Sequence, residues 1–130
     1  MKKLFFLFAF SLISTTLFAQ SDKKDEAPAK MKQYWFVMLM RGTNRDQDSA
    51  TVVKIQEGHI ANIVRMANEG KCIQAGPFGD NGNWRGILIL DVKDLEEVKK
   101  EVEQDPAIKA GRLIYEAHPW WTEKGTVVFK

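Results

Sequence analysis

Two stretches of this chain are apolar at every position, and a sheet with one face in water does not tolerate that pattern. Tyr34-Trp35-Phe36-Val37-Met38-Leu39-Met40 runs without a charge, and Ile87-Leu88-Ile89-Leu90 repeats the texture farther on. Successive side chains of a strand point to opposite faces, so a half-covered sheet should alternate apolar with polar residues. Both faces of these two strands must leave water.

The rest of the chain supplies cover for one face only. Arg41-Gly42 and the polar loop Thr43 to Asp48 close the first strand. Asp48 or Ser49 caps a helix running to about Asn68, with Val52, Ile55, Ile60, Ile63, Met66 and Ala67 at helical spacing. Glu69-Gly70 ends it, and a second strand, Lys71 to Ala75, breaks at Gly76-Pro77. A turn over Gly79 to Asn83 leads into a third strand, Trp84 to Val92. Asp94 opens a second helix with Leu95, Val98 and Val102 as its buried stripe, interrupted at Asp105-Pro106. Leu113 to Ala117 forms a fourth strand, and His118 to Lys130 reads as a tail. The order is βαββαβ, an α+β chain whose natural solution is the ferredoxin-like split βαβ with both helices on one side of an antiparallel sheet. At about 25 cal/mol per Å² of apolar area, a wet second face would cost many kcal/mol and form a sticky patch. The expected cover is the same face of another copy, giving a homodimer and a dimeric α+β barrel.

The N-terminus has a different character. Lys2-Lys3, an apolar stretch from Leu4 to Leu17 and the small residue Ala19 follow the order of a secretory signal peptide over residues 1–19, cleaved after Ala19. A retained membrane anchor is the competing reading, but the run falls short of the roughly 20 residues that span a bilayer, and no stable membrane insertion is expected after cleavage. Residues 20–32 are rich in Lys, Asp, Glu, Ala and Pro and read as a flexible tether. The folded domain is expected over 33–122, with a C-terminal tail at 123–130, in a periplasmic or secreted protein. Removing Lys2 and Lys3 lowers Lys+Arg from 19 to 17, equal to Asp+Glu at 17. A near-neutral mature chain lacks the electrostatic footprint of nucleic-acid binding. Cys72 is the only cysteine, so no internal disulfide holds the fold, and it reads as a small buried apolar residue. One Cys and two His argue against a protein-only zinc site, and no cofactor or metal is expected.

His59 is the most informative polar side chain. It follows Ile55 by four residues and precedes Ile63 by four, so it shares the helix face aimed at the sheet. One reading is a core histidine satisfied by a single hydrogen bond; the other is an imidazole held in one tautomer by a carboxylate and used to move protons. Asp105 is the second candidate for chemistry, its other reading being a helix-end residue bonding locally before proline. Gly76-Pro77-Phe78 is a kinked strand end where backbone groups can approach a ligand. His118, beside Pro119, reads as a surface or packing residue, and Trp84, Trp120 and Trp121 as core or dimer-seam residues rather than pocket walls.

Over roughly Gln33 to Trp121 the sequence resembles the YCII-related family of dimeric α+β barrel proteins. The residues carrying the resemblance are His59, Asn68-Glu69-Gly70-Lys71, Ala75-Gly76-Pro77, Gly86, Asp105-Pro106, Gly111 and Pro119-Trp120. It implies a histidine–aspartate site between helix and sheet, carried here by His59 and Asp105, and one branch looks like dehydrochlorinases acting on chlorinated hydroxyquinols. Asn68 stands where a carboxylate is often found, and the signal peptide is a further departure. The expected function is a small cofactor-independent lyase or isomerase in which His59 and Asp105 perform acid/base chemistry on a small molecule, with Gly76, Pro77 and Phe78 at the substrate and backbone N–H groups receiving developing charge. The rivals are a non-catalytic periplasmic ligand-binding or dimerisation module and, more weakly, a haem-binding barrel.

Overall fold

A computed structural model describes residues 30–126 and 128; the expected signal peptide and residues 20–29 of the expected tether lie outside the described residues. The element order is β1 (Met31–Arg41), α1 (Ser49–Asn68), β2 (Cys72–Pro77), β3 (Trp84–Leu90), α2 (Leu95–Val102), α3 (Pro106–Lys109) and β4 (Leu113–Glu123). The strands form one sheet in the order β2-β3-β1-β4. Every neighbouring pair is antiparallel. This is the ferredoxin-like α+β arrangement expected from the element order, with one short helix added after the Asp-Pro break.

Local chemistry places the helix ends. The Asp48 carboxylate accepts from the Thr51 N–H at 2.9 Å and starts α1, and Asp94 accepts from the Glu97 N–H at 3.0 Å and starts α2. Beyond Asn68, Glu69 is the C-cap of α1 and Gly70 follows with φ 71°.

Two boundaries differ from the sequence reading. β1 begins at Met31, so Met31 and Lys32 belong to the sheet rather than to the tether. β4 runs on to Glu123, so His118 to Glu123 is strand and not tail. Its partner is the polar end of β1: Tyr34 faces Trp120, Gln33 faces Trp121 and Met31 faces Glu123. Pro119 is accommodated because β4 is an edge strand, where a missing N–H is tolerated.

Alternate residues of β1 separate the two sheet faces. Trp35, Val37 and Leu39 pack with Leu88, Leu90, Met66, Val98 and Val102, so α1 and α2 both cover this side. Met66, Leu90, Val37 and Val98 have no water contact. Glu101 is buried among them, and its carboxylate holds Lys71 at 2.6 Å and Arg65 at 2.8 Å. Burial alone would raise this carboxyl, but the bonds from Lys71 and Arg65 outweigh it and hold it below the ordinary glutamate value. The other face carries Phe36, Met38 and Met40, with Ile89 and Ile87 beside them on β3 and Ile114, Glu116, His118 and Trp120 on β4. Glu123, Gly125 and Val128 border a cavity of about 320 Å³ at one end of that face, which Tyr34, Ile89 and Trp120 also line.

Candidate active site

His59 lies in the middle of α1, between Ile55 and Ile63 on the side that lines a cavity of about 410 Å³ between the helix and the sheet. Asp105 has extended backbone at the start of α3, and its Oδ1 accepts from the Ala107 N–H at 2.8 Å. Its Oδ2 stands 2.6 Å from His59 Nδ1. The two side chains keep 12% and 4% of their exposure, so water competes little for this bond. Local capping and partnership with the histidine were alternatives in the sequence; one carboxylate does both, with one oxygen for each.

The close approach of α1 and α3 makes this pairing geometrically feasible. Gly58 stands against Pro106, where an added Cβ would lie 2.7 Å from the proline Cγ. A glycine in mid-helix costs roughly 1 kcal/mol relative to alanine, and here its missing side chain lets the helix carrying His59 sit against the turn carrying Asp105. A carboxylate accepts hydrogen bonds and does not donate them. With Asp105 as acceptor, the neutral imidazole carries its hydrogen on Nδ1 and its lone pair on Nε2, a tautomer assigned from the bonding pattern. Nε2 has no protein partner among the described residues. The arrangement provides an oriented base at the wall of a cavity, and after protonation an imidazolium stabilised by the carboxylate behind it.

Val52, Ile55, Ile60 and Ile63 give the cavity an apolar helix wall, and Leu39 and Leu88 face it from the sheet. Gly76 and Pro77 line it as well, but Phe78 does not. Phe78 is exposed beside Trp84, at 6.2 Å between ring centroids, and its N–H is spent on the Arg85 carbonyl at 3.0 Å. Pro77 has no N–H to offer. The expected backbone oxyanion donors therefore fail at these two residues: one amide closes the strand ladder and the other does not exist. Asn68 is exposed at the far end of α1, roughly 13 Å along the axis from His59, so the missing carboxylate there leaves this cavity unaltered. Cys72 is buried, its thiol raised above the ordinary value by burial, and it donates to the Gln74 carbonyl. His118 is exposed on the second sheet face, 3.6 Å from Glu116.

The positive charge at the cavity comes instead from Arg45, Arg85 and Arg112, none of which stood out in the sequence. A latch between two loops brings the first and last together. Gly42 N–H donates to the Arg112 carbonyl and Asn44 N–H to the Gly111 carbonyl, and a Cβ on Gly42 would run into that Gly111 oxygen. Arg45 reaches the Arg112 carbonyl at 3.1 Å, and Arg112 reaches the Gln47 side-chain oxygen at 2.8 Å. Arg85 arrives by another route. The β1–β3 register passes from Leu39 opposite Gly86 to Met40 opposite Trp84, leaving Arg85 as the extra residue of a bulge. Bulges re-aim side chains, which is why simple strand alternation did not place Arg85 here.

The chain has relatives among known proteins. One solved structure it resembles is the 5-chloro-2-hydroxyhydroquinone dehydrochlorinase from Burkholderia phenoliruptrix AC1100 in complex with 2,5-dihydroxybenzoquinone, with 22% identity over 66% of this chain and 92% of that one and a TM-score of 0.48. No significant relative was found among curated proteins. Residues 35–121 match the model of the YCII-related domain, from Trp35 in β1 to Trp121 in β4 and including both His59 and Asp105. On that match, which takes in well over half of the sequence, the chain belongs to the YCII-related domain family.

Proposed function

We propose that this protein is a small-molecule enzyme of the lyase or isomerase type, working as a homodimer, in which His59 Nε2 moves a proton of the substrate. The observation that carries the reading is the 2.6 Å bond between His59 Nδ1 and Asp105 at the wall of the 410 Å³ cavity. An imidazole fixed in one tautomer at the wall of a cavity, with its second nitrogen free of protein partners among the described residues and a carboxylate on the first, is the arrangement that general acid–base catalysis requires. Asp105 keeps the ring oriented and offsets the charge that develops when Nε2 takes the proton. Membership of the YCII-related family supports the same assignment of the pair. The helix-side core already satisfies itself with Met66, Val98 and Val102, so a polar pair beside a cavity is not needed for packing.

Proton transfer can be read without knowing the final product. A panel of enolisable ketones and hydroxylated or chlorinated hydroquinones, incubated with the protein in D₂O, is followed by NMR for enzyme-dependent exchange at carbon or for loss of chloride. The parent protein is expected to accelerate one or more members, and His59→Gln to fold with an unchanged melting curve and lose the acceleration by about a hundredfold or more. Equal rates in parent and H59Q protein would reject the mechanism. Binding of panel members with no exchange in any of them favours the non-catalytic binding module.

A further inference from the structure

We infer that the cavity beside His59 is built for a small organic carboxylate, whose anionic end is held by Arg45, Arg85 and Arg112 while its apolar body lies between α1 and the sheet. This inference rests on the reading of the cavity as a substrate site and narrows the class of substrate. Three guanidinium groups converge on one cavity, and Arg41 stands near them. None of the four makes an ion pair with a carboxylate among the described residues, although Arg65, Lys71, Lys93 and Lys99 all do. Their protein bonds go to neutral oxygens: Arg41 to Asn81, Arg85 to Asn81 and Gly82, Arg45 to Arg112, and Arg112 to Gln47. Slight desolvation, and then the like charges of Arg112, Arg41 and Arg85, lower the guanidinium of the exposed Arg45 from its ordinary value. Like charges gathered at a cavity without a protein counter-ion favour an occupant that supplies one.

The other features of the site narrow the occupant further. The helix wall is made of Val52, Ile55, Ile60 and Ile63, which suits an apolar ring or short chain and not a bare inorganic anion. Arginine forks match a carboxylate through paired N–H donors. A carboxylate anchored there would hold the carbon skeleton across the cavity toward His59 Nε2, and substrates without it would enter without orientation. This also replaces the missing backbone donors at Pro77 and Phe78 with side chains able to stabilise developing negative charge.

The test is equilibrium binding to the purified protein by calorimetry, with 4-hydroxybenzoate as probe, its neutral counterpart 4-hydroxybenzamide, and inorganic phosphate. The carboxylate is expected to bind at least tenfold more tightly than the amide, to weaken as salt is raised, and to weaken about tenfold in Arg45→Gln and in Arg85→Gln. These variants sit on an exposed loop and a bulge, so retained melting curves are expected, and either one alone suffices if the other is unstable. Equal binding of acid and amide, phosphate binding as tight as 4-hydroxybenzoate, or unchanged affinity in both arginine variants overturns the inference. Because no turnover is measured, a protein that binds the acid but exchanges no substrate proton loses the catalytic reading and retains this one. Turnover restricted to neutral compounds does the reverse.

Discussion

Replacing Gly58 with alanine separates the stability of α1 from the geometry of the candidate site. Alanine in a helix interior is worth about 1 kcal/mol over glycine, and at an open position the substitution would stabilise the protein by that amount. At Gly58 the new methyl would sit 2.7 Å from Pro106 Cγ and 3.4 Å from its Cβ. Carbon atoms rest about 3.5–4.0 Å apart, so α1 and α3 must separate by about 1 Å. Overpacking of that kind costs about 1–3 kcal/mol, which offsets the helix gain and leaves the variant between neutral and about 2 kcal/mol less stable. The displacement falls on the residue next to Asp105. A bond of 2.6 Å stretched by that amount passes the roughly 3.2 Å limit of a good hydrogen bond. The His59 Nδ1 proton, expected to be visible in the parent by ¹H–¹⁵N spectroscopy because the bond shields it from exchange, should shift upfield or vanish in G58A. Any His59-dependent turnover should fall by about a hundredfold, the usual result of a 1 Å misplacement. A G58A protein about 1 kcal/mol more stable than the parent, with the Nδ1 proton unchanged, would show that the contact with Pro106 does not set the distance between His59 and Asp105.

Glu101 provides a pH test in the core. Its carboxyl lies below the ordinary value in the folded state, so its contribution is present above the unfolded glutamate range and is lost as pH falls through the lower folded value. Glu101→Gln should cost about 1–2 kcal/mol at neutral pH, less than a fully buried pair because Arg65 and Lys71 keep 33% and 27% exposure. Its denaturant midpoint should also depend less on pH than the parent's below pH 4.5, and parallel profiles would contradict the role given to the Lys71 and Arg65 bonds. For the second sheet face, Phe36→Asp places a charge among Met38, Ile89 and His118 and is expected to sediment as a monomer, against the dimer proposed for the parent. A parent that sediments as a monomer at micromolar concentration removes the twin-chain cover.

Much of the scaffold is legible in local chemistry. Asp48 and Asp94 cap the helices where their side chains reach the third N–H ahead, and the apolar spacing of α1 and α2 selects the residues that meet the sheet. The end of β4 was not legible, because Pro119 carries a strand-breaking signal that an edge position overrides. His59 and Asp105 were both visible as candidates. Their contact was not, since it depends on the chain folding back across a separation of 46 positions so that Gly58 meets Pro106.

From its sequence alone the chain determined the order of its elements, the helix caps and the excess of apolar surface on β1 and β3, because these follow from nearest-neighbour chemistry and from side-chain periodicity. Tertiary structure alone decided the electrostatics of the cavity. Arg45, Arg85 and Arg112 come from a loop, a bulge and a strand entrance, and only the Gly42–Arg112 latch and the register shift at Arg85 bring their charges to one place. Charge acts through space, so no local sequence pattern could register that convergence.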